Sequence, residues 1–305
     1  MRSVCPFNAH TSNSMIRIIL ISCLLLNALS LTAQRHLYIG WQSGGINYQG
    51  EMQDISFSFT GMHLSTGGGI LLQLDDHWSI GSEFIRGNLS GRDAELQGNT
   101  NNQARNLSFN TELWELSGQL RYSLYSVDFV PVVPYGFAGL ALFHVDPWAI
   151  DANGVKHKLY PLSTEGQGLP QYPGREAHRT NRVSIPFGSG LEFRLGRWFR
   201  LDIETMFRKT FTDDIDDVSY DYPDPSILLA ARGPKAVELS YRGDEVPGGI
   251  QTFPNPGTQR GNPLRDDWYH SFNIRLRVEL HDWRRAKVER LAERSVRCGK
   301  NIFGR

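Results

Sequence analysis

The sequence predicts an all-β chain: an eight-stranded antiparallel up-and-down transmembrane β-barrel with long extracellular loops and a short C-terminal helix. Three observations predict it. Eight segments alternate apolar and polar residues with a period of two, the links between them are alternately short and long, and the chain opens with an export signal.

The alternation is clearest in RVSIPFGSGLEFRLGRWFRLDIETMFRKTF, residues 182–211. Val183, Ile185, Phe187, Leu191, Phe193 and Leu195 take every second position. After a tight Gly196-Arg197 turn, Phe199, Leu201, Ile203, Phe207 and Phe211 resume the pattern against Arg200, Asp202, Glu204 and Arg208. A period of two sends one set to each face of a sheet. Both strands outrun the ~5–6 residues usual in soluble sheets and exceed the ~9–11 that cross a bilayer at a tilt.

The other strands follow in order. The first covers 36–48, with Leu37, Ile39 and Trp41 on one face. The second covers 62–75 (Met62, Leu64, Ile70, Leu72, Leu74) and the third 77–90 (Trp78, Ile80, Phe84). The fourth lies within 106–125, where Trp114, Leu116, Leu120, Tyr122 and Leu124 agree in phase and a shift near Glu112 predicts a bulge. In the fifth, 131–145, Val133, Tyr135, Phe137, Phe143 and Val145 are read as outward-facing. The last, 268–280, sets Trp268, Phe272, Ile274, Leu276, Val278 and Leu280 against Asn273, Arg275, Arg277 and Glu279.

The long links, 49–61, 91–105, 146–181 and 212–267, alternate strictly with short ones. In a meander this puts every short turn at one end, as in outer-membrane barrels; a soluble barrel has no comparable reason to segregate its loops. The greasy face then meets lipid. Glu83, Glu115, Arg121, Glu192, Arg194, Arg200, Asp202, Glu204, Arg208, Arg275, Arg277 and Glu279 line a narrow lumen, where mixed signs predict a paired plug rather than a large pore.

Residues 1–33 are an N-terminal extension and signal peptide. From Met15, the expected start, come a basic Arg17, an apolar core from Ile18 to Leu26, and small residues through Ala33, the expected cleavage point. The barrel is assigned to 34–282. Residues 283–305 form a basic periplasmic tail with Val288, Leu291, Ala292 and Val296 at helical spacing, carrying Cys298, the one cysteine left after cleavage. Formal charge is zero and no basic excess points to nucleic acid.

No metal-ligand spacing, phosphate loop or nucleophile elbow appears, so no catalytic, cofactor-binding or metal residues are assigned. STGGGIL and GSGLEF are read as small residues where the sheet bends or the lumen is tight. His63, His144 and His270 sit near loop ends, and the expectation is interfacial histidines rather than a triad with a serine. TDDIDDVSYDYPD (212–224) lacks the glycine-centred order of the known calcium loop; the expectation is a solvated acidic turn rather than a calcium site. SILLAARG and PKAVELSYRGDE predict helical turns that make the last loop a structured cap.

PYGFAGLALFHVDPWA (134–149), YPLSTEGQGLP (160–170), FGSGLEFRL (187–195), RKTFTDDIDDVSYDY (208–222) and RGNPLRDDWYH (260–270) resemble the PorG-like family of Bacteroidota outer-membrane barrels. The resemblance runs from about His36 to His281, and TEGQG and KTFTDDIDDVS are its specific parts. It implies a non-enzymatic outer-membrane component of the type IX protein secretion and gliding machinery, contacting a periplasmic ring lipoprotein and outer-membrane lipid, with no cofactor. A narrow solute conduit or receptor, and a lipid-modifying barrel enzyme, are the alternatives.

Overall fold

The computed structural model describes residues 36–282 apart from 54–57, 60, 97–99 and 127–129. The signal peptide, the tail from 283 and Cys298 lie outside the described residues. Eight strands carry the fold: β1 (His36–Gln49), β2 (His63–Gln73), β3 (Trp78–Arg92), β4 (Ser108–Ser123), β5 (Val132–Val145), β6 (Asn181–Arg194), β7 (Phe199–Thr210) and β8 (Trp268–Asp282). Each pairs antiparallel with its neighbours in sequence, and β1 pairs with β8, so the sheet closes on itself. The strand count is even, so the start of β1 and the end of β8 lie at the same end as the short turns.

Those turns are made by local chemistry. Asp75 Oδ1 accepts from the His77 and Trp78 backbone N–H groups at 2.8 and 2.7 Å, tightening the β2–β3 link. Between β6 and β7 the Leu195 N–H donates to the Phe199 carbonyl at 3.1 Å, and Gly196 takes φ +95°, a conformation that favours glycine.

The exterior is apolar through its middle, with Ile39, Trp41, Ile70, Ile80, Leu120 and Ile274 among the exposed side chains. Aromatic rings bound this belt at both ends. Trp78 packs on Tyr122 at 4.8 Å near the short turns, and Phe187 packs on Phe207 at 5.8 Å and Trp268 at 6.2 Å toward the loops.

Two expectations about facing are corrected. No bulge lies near Glu112: β4 keeps one register with β3 from Ser108 to Tyr122, and the register shift of the barrel is between Leu37 and Tyr38 against β8. What changes near Glu112 is polarity. Above the belt the outer face turns polar, with exposed Glu112 and Arg86 3.0 Å apart, while the inner face turns apolar at Leu113 and Phe109. An inside-out switch at constant phase resembles a slipped phase when only hydropathy is read.

On β5, Val133, Tyr135, Phe137, Phe143 and Val145 face inward, and Val132, Leu140 and Leu142 face out. Both faces of this strand are apolar, so alternation alone does not choose between them. Neighbouring β6 chooses: a Cβ on Gly188 would lie 2.8 Å from Phe137 Cζ, and one on Gly190 would lie 2.6 Å from Tyr135 Cζ. The glycines of GSGLEF thus leave lumen room for two rings.

The four long loops fold over the mouth. They contain α1 (Thr100–Arg105), α2 (Leu159–Leu162), α3 (Pro225–Arg232), α4 (Pro234–Ser240) and a ribbon pairing Trp148–Ile150 with Lys156–Lys158. Helices α3 and α4 occupy the two stretches read as helical turns. Asp224 caps α3 by accepting from the Ser226 N–H at 2.8 Å, Pro225 follows the cap, and Gly233 with Pro234 separates the helices. Beneath them one apolar cluster joins strand ends to loops: Ile46, Leu89, Phe109 and Phe143 pack with Ile215, Val218 and Leu239.

Candidate functional site

The lumen is filled by groups of buried ion pairs. Arg277 reaches Asp202 at 2.6 Å and Glu192 at 2.7 Å, while Arg275 reaches Glu83 at 2.8 Å and Glu204 at 2.6 Å. Arg121 bonds Glu192 and lies with its guanidinium 3.4 Å above the Tyr135 ring. Arg200 stands 3.5 Å from Glu192, and His36 stands 2.9 Å from Glu279. Higher up, Glu115 takes Arg208 at 3.1 Å and the Tyr269 hydroxyl at 2.6 Å.

The predicted lumen residues are therefore buried, except Arg194. That residue is exposed, because it ends β6 beside the short turn, at the end of the barrel away from the loops. Strands on different sides of the barrel are tied through their side chains, which fill the interior. Tyr135, Tyr38 and Gln42 join these pairs, through Arg121 and Glu204, Arg200 and Arg277, and Arg275 respectively; an inward aromatic on a doubly apolar strand such as β5 carries no hydropathy signal of its own.

Above the lumen a second knot binds the β5–β6 loop to the β7–β8 loop. Glu165, in TEGQG, accepts from the Ser219 and Tyr220 N–H groups at 3.0 Å and from Arg260 at 2.7 Å. Thr164 donates to Asp217, and Arg260 donates to the Asp217 carbonyl at 2.6 Å. Gly166 takes φ +78° and faces the Tyr172 ring, so this turn needs a glycine. Three of the stretches carrying the family resemblance thus meet at one buried carboxylate.

Beside it, His178 stacks on Tyr160 at 4.1 Å and lies 3.1 Å from Asp214 and 3.0 Å from Asp217. Burial by itself would push its pKa down, but the two aspartates overcome this and raise it from the ordinary 6.5 to about 9. A raised folded-state pKa makes the clasp's contribution full below pH 6.5 and lost as pH climbs through 9. Proteolysis of the β5–β6 loop is expected to accelerate between those values, and His178→Asn is expected to abolish that pH dependence.

The acidic segment 212–224 is not the solvated turn the sequence suggests. Asp216 and Asp217 are buried, and Asp214 and Asp217 are bound by His178. Asp216 lies instead with Glu51 and Asp267, one carboxylate oxygen of each within 4.8 Å of the others. Burial and mutual repulsion raise Asp216 and Asp267 well above the usual carboxylate range. Asp213 rises to about 10, chiefly by burial and next by the Glu51 charge. Burial takes Glu51 to about 7 despite nearby backbone N–H groups and Arg105. Neither Glu51 nor Asp267 was singled out from the sequence, since only folding brings them to Asp216.

The three histidines are not brought together. His63 stands 2.6 Å from Ser90 Oγ, His270 stands 3.2 Å from the Ser58 carbonyl, and His144 bonds Asn181 at 2.8 Å and stacks on Trp114. His63 and His270 flank β1 from opposite sides, while β5, which bears His144, is half the barrel away.

No protein-family model matches the chain, and no curated protein matches it in sequence. Several solved structures have a similar shape. Neisserial surface protein A aligns with 80% of this chain and 97% of its own, at 9% identity and a TM-score of 0.40. OprG from Pseudomonas aeruginosa aligns with 81% and 96%, at 8% identity and 0.37. A major outer membrane protein from Thermus thermophilus aligns with 80% and 99%, at 12% identity and 0.37. No function is carried over from likenesses this distant.

Proposed function

We propose that this chain is an outer-membrane β-barrel serving as a non-enzymatic, closed component of the type IX protein secretion and gliding machinery. The observation that carries the closed reading is the lumen: arginines 121, 200, 208, 275 and 277 are each engaged by buried carboxylates, Arg208 and Arg275 across the barrel, and the apolar cap core lies over the mouth. The apolar belt between two aromatic rings supports a bilayer as its surroundings. A barrel filled in this way works through its rims and outer wall, which suits a part that contacts a periplasmic ring lipoprotein at the short-turn end. The machine itself is assigned by the resemblance in TEGQG and KTFTDDIDDVS.

Deletion followed by a comparison of exported proteins tests the assignment: cargo is expected to accumulate inside the cell, and unaltered export would remove the secretion reading. The closed barrel is expected to give no resolvable conductance in planar bilayers. Steady ion conduction by the wild-type chain would restore the conduit alternative.

A further inference from the structure

Glu51 comes from the β1–β2 loop, and Asp216 and Asp267 from the two ends of the β7–β8 loop. Their gathered oxygens lie within 4.8 Å of one another. Calcium binds oxygen at about 2.3–2.6 Å, so ligands on opposite sides of it stand up to about 5 Å apart. Oxygens gathered within 4.8 Å of one another are close enough for an ion of that size to bridge.

Other observations point to a ligand rather than to a mere crowd of acids. Both carboxylate oxygens of Glu51 are sealed from solvent without a hydrogen-bond partner, although the side chain reaches in from a separate loop; the Asp213 carboxylate is in the same state. The backbone N–H groups of Glu51 and Asn262 lie near the Glu51 carboxylate without closing a well-formed hydrogen bond, so this buried anion has lost its water for little in return. The Tyr48 hydroxyl lies 2.5 Å from Asp216 and 3.0 Å from Asp267, yet a phenol has one proton, so it serves one of them at a time. Gly50 packs where the oxygens gather: a Cβ there would fall 2.0 Å from Asp267 Oδ1. Two basic groups act on Glu51 from nearby, Arg105 and Arg265, and Arg105 is already spent on Asp93. A cavity of about 770 Å³, lined by Glu51, Asn255, Gln259 and Asn262, supplies an approach from outside.

We propose that Glu51, Asp216 and Asp267 bind a calcium-sized divalent cation that ties the β1–β2 loop to the β7–β8 loop and so locks the cap. The site differs from the acidic run read in the sequence: one aspartate of that run contributes, and the other two ligands lie far from it in the chain. The inference is independent of the secretion reading.

The test uses the full mature chain folded in detergent, stripped with EDTA and dialysed. Calcium chloride is titrated by calorimetry, with magnesium chloride in parallel, and tryptic cleavage of the β7–β8 loop is followed with and without calcium. Saturable binding near one ion per chain, stronger for calcium, and cleavage slowed about tenfold are expected. Asp216→Asn with Asp267→Asn is expected to abolish both effects, while Asp221→Asn, in the same loop, leaves them intact. The heat-modifiable gel shift reports whether the barrel is folded, and Glu51→Gln keeps the test open if the double variant does not assemble. Equal cleavage in calcium and EDTA by a folded wild-type barrel would overturn the proposal. So would binding undiminished in the double variant, or a cap tightened only by acid, which would mean that the carboxylates hold protons instead.

Discussion

Arg277→Met is expected to lower the stability of the barrel by about 3–5 kcal/mol, read as the urea concentration at which the heat-modifiable form is lost. Arg277 bonds both Asp202 oxygens, at 2.6 and 2.7 Å, and Glu192 at 2.7 Å, in a lumen where all three residues are buried. Methionine fills much of the space and removes the charge, leaving two carboxylates to share Arg121 and Arg200. Much of the loss is thus the penalty on the orphaned anions. Adding Asp202→Asn to Arg277→Met is accordingly expected to recover part of it, while Asp202→Asn alone destabilises by stranding its arginines. A single variant within ~0.5 kcal/mol of the parent would mean that the network does not hold the lumen together.

Ile274→Arg is expected to cost about 2–4 kcal/mol by the same measurement, the range for a cation turned to lipid near the midplane. Ile274 is half-exposed on β8, opposite Ile203 on β7, midway between the aromatic rings. The matched control is Glu112→Gln, on the outer face above the belt. Its pairing with Arg86 is exposed on both sides, so its loss should cost less than about 1 kcal/mol. Equal effects at the two positions would argue that the outer wall is uniformly wet, and the bilayer reading would fail.

Much of this architecture is legible in the chain because a barrel strand is a one-dimensional code. Residues 182–195 and 199–211 declare their two faces by alternation, and the structure places β6 and β7 within a few residues of those bounds. The lumen charges are legible for the same reason. The α3–α4 pair is also readable, since Asp224-Pro225 and Gly233-Pro234 mark helix starts and stops through backbone rules that act within a few residues. The code fails where polarity ceases to mark direction. On β5 both faces are apolar, and at Glu112 the meaning of inside and outside inverts as the strand leaves the belt.

The sequence by itself determined the period, the number of strands, the alternation of short and long links and the charges turned inward, because each follows from neighbours along one strand or one turn. Only the tertiary structure decided which arginine meets which carboxylate, that Tyr135 and Phe137 point into the lumen against Gly190 and Gly188, and that Glu165 gathers three loop segments. It also decided that Asp216 is sealed beside Glu51 and Asp267. The physical reason is common to all of these: each depends on groups distant in the chain meeting across a closed sheet or beneath a folded cap. Whether a charge is solvated, paired or crowded by its own kind is then set by what else is brought there, which hydropathy along the chain does not record.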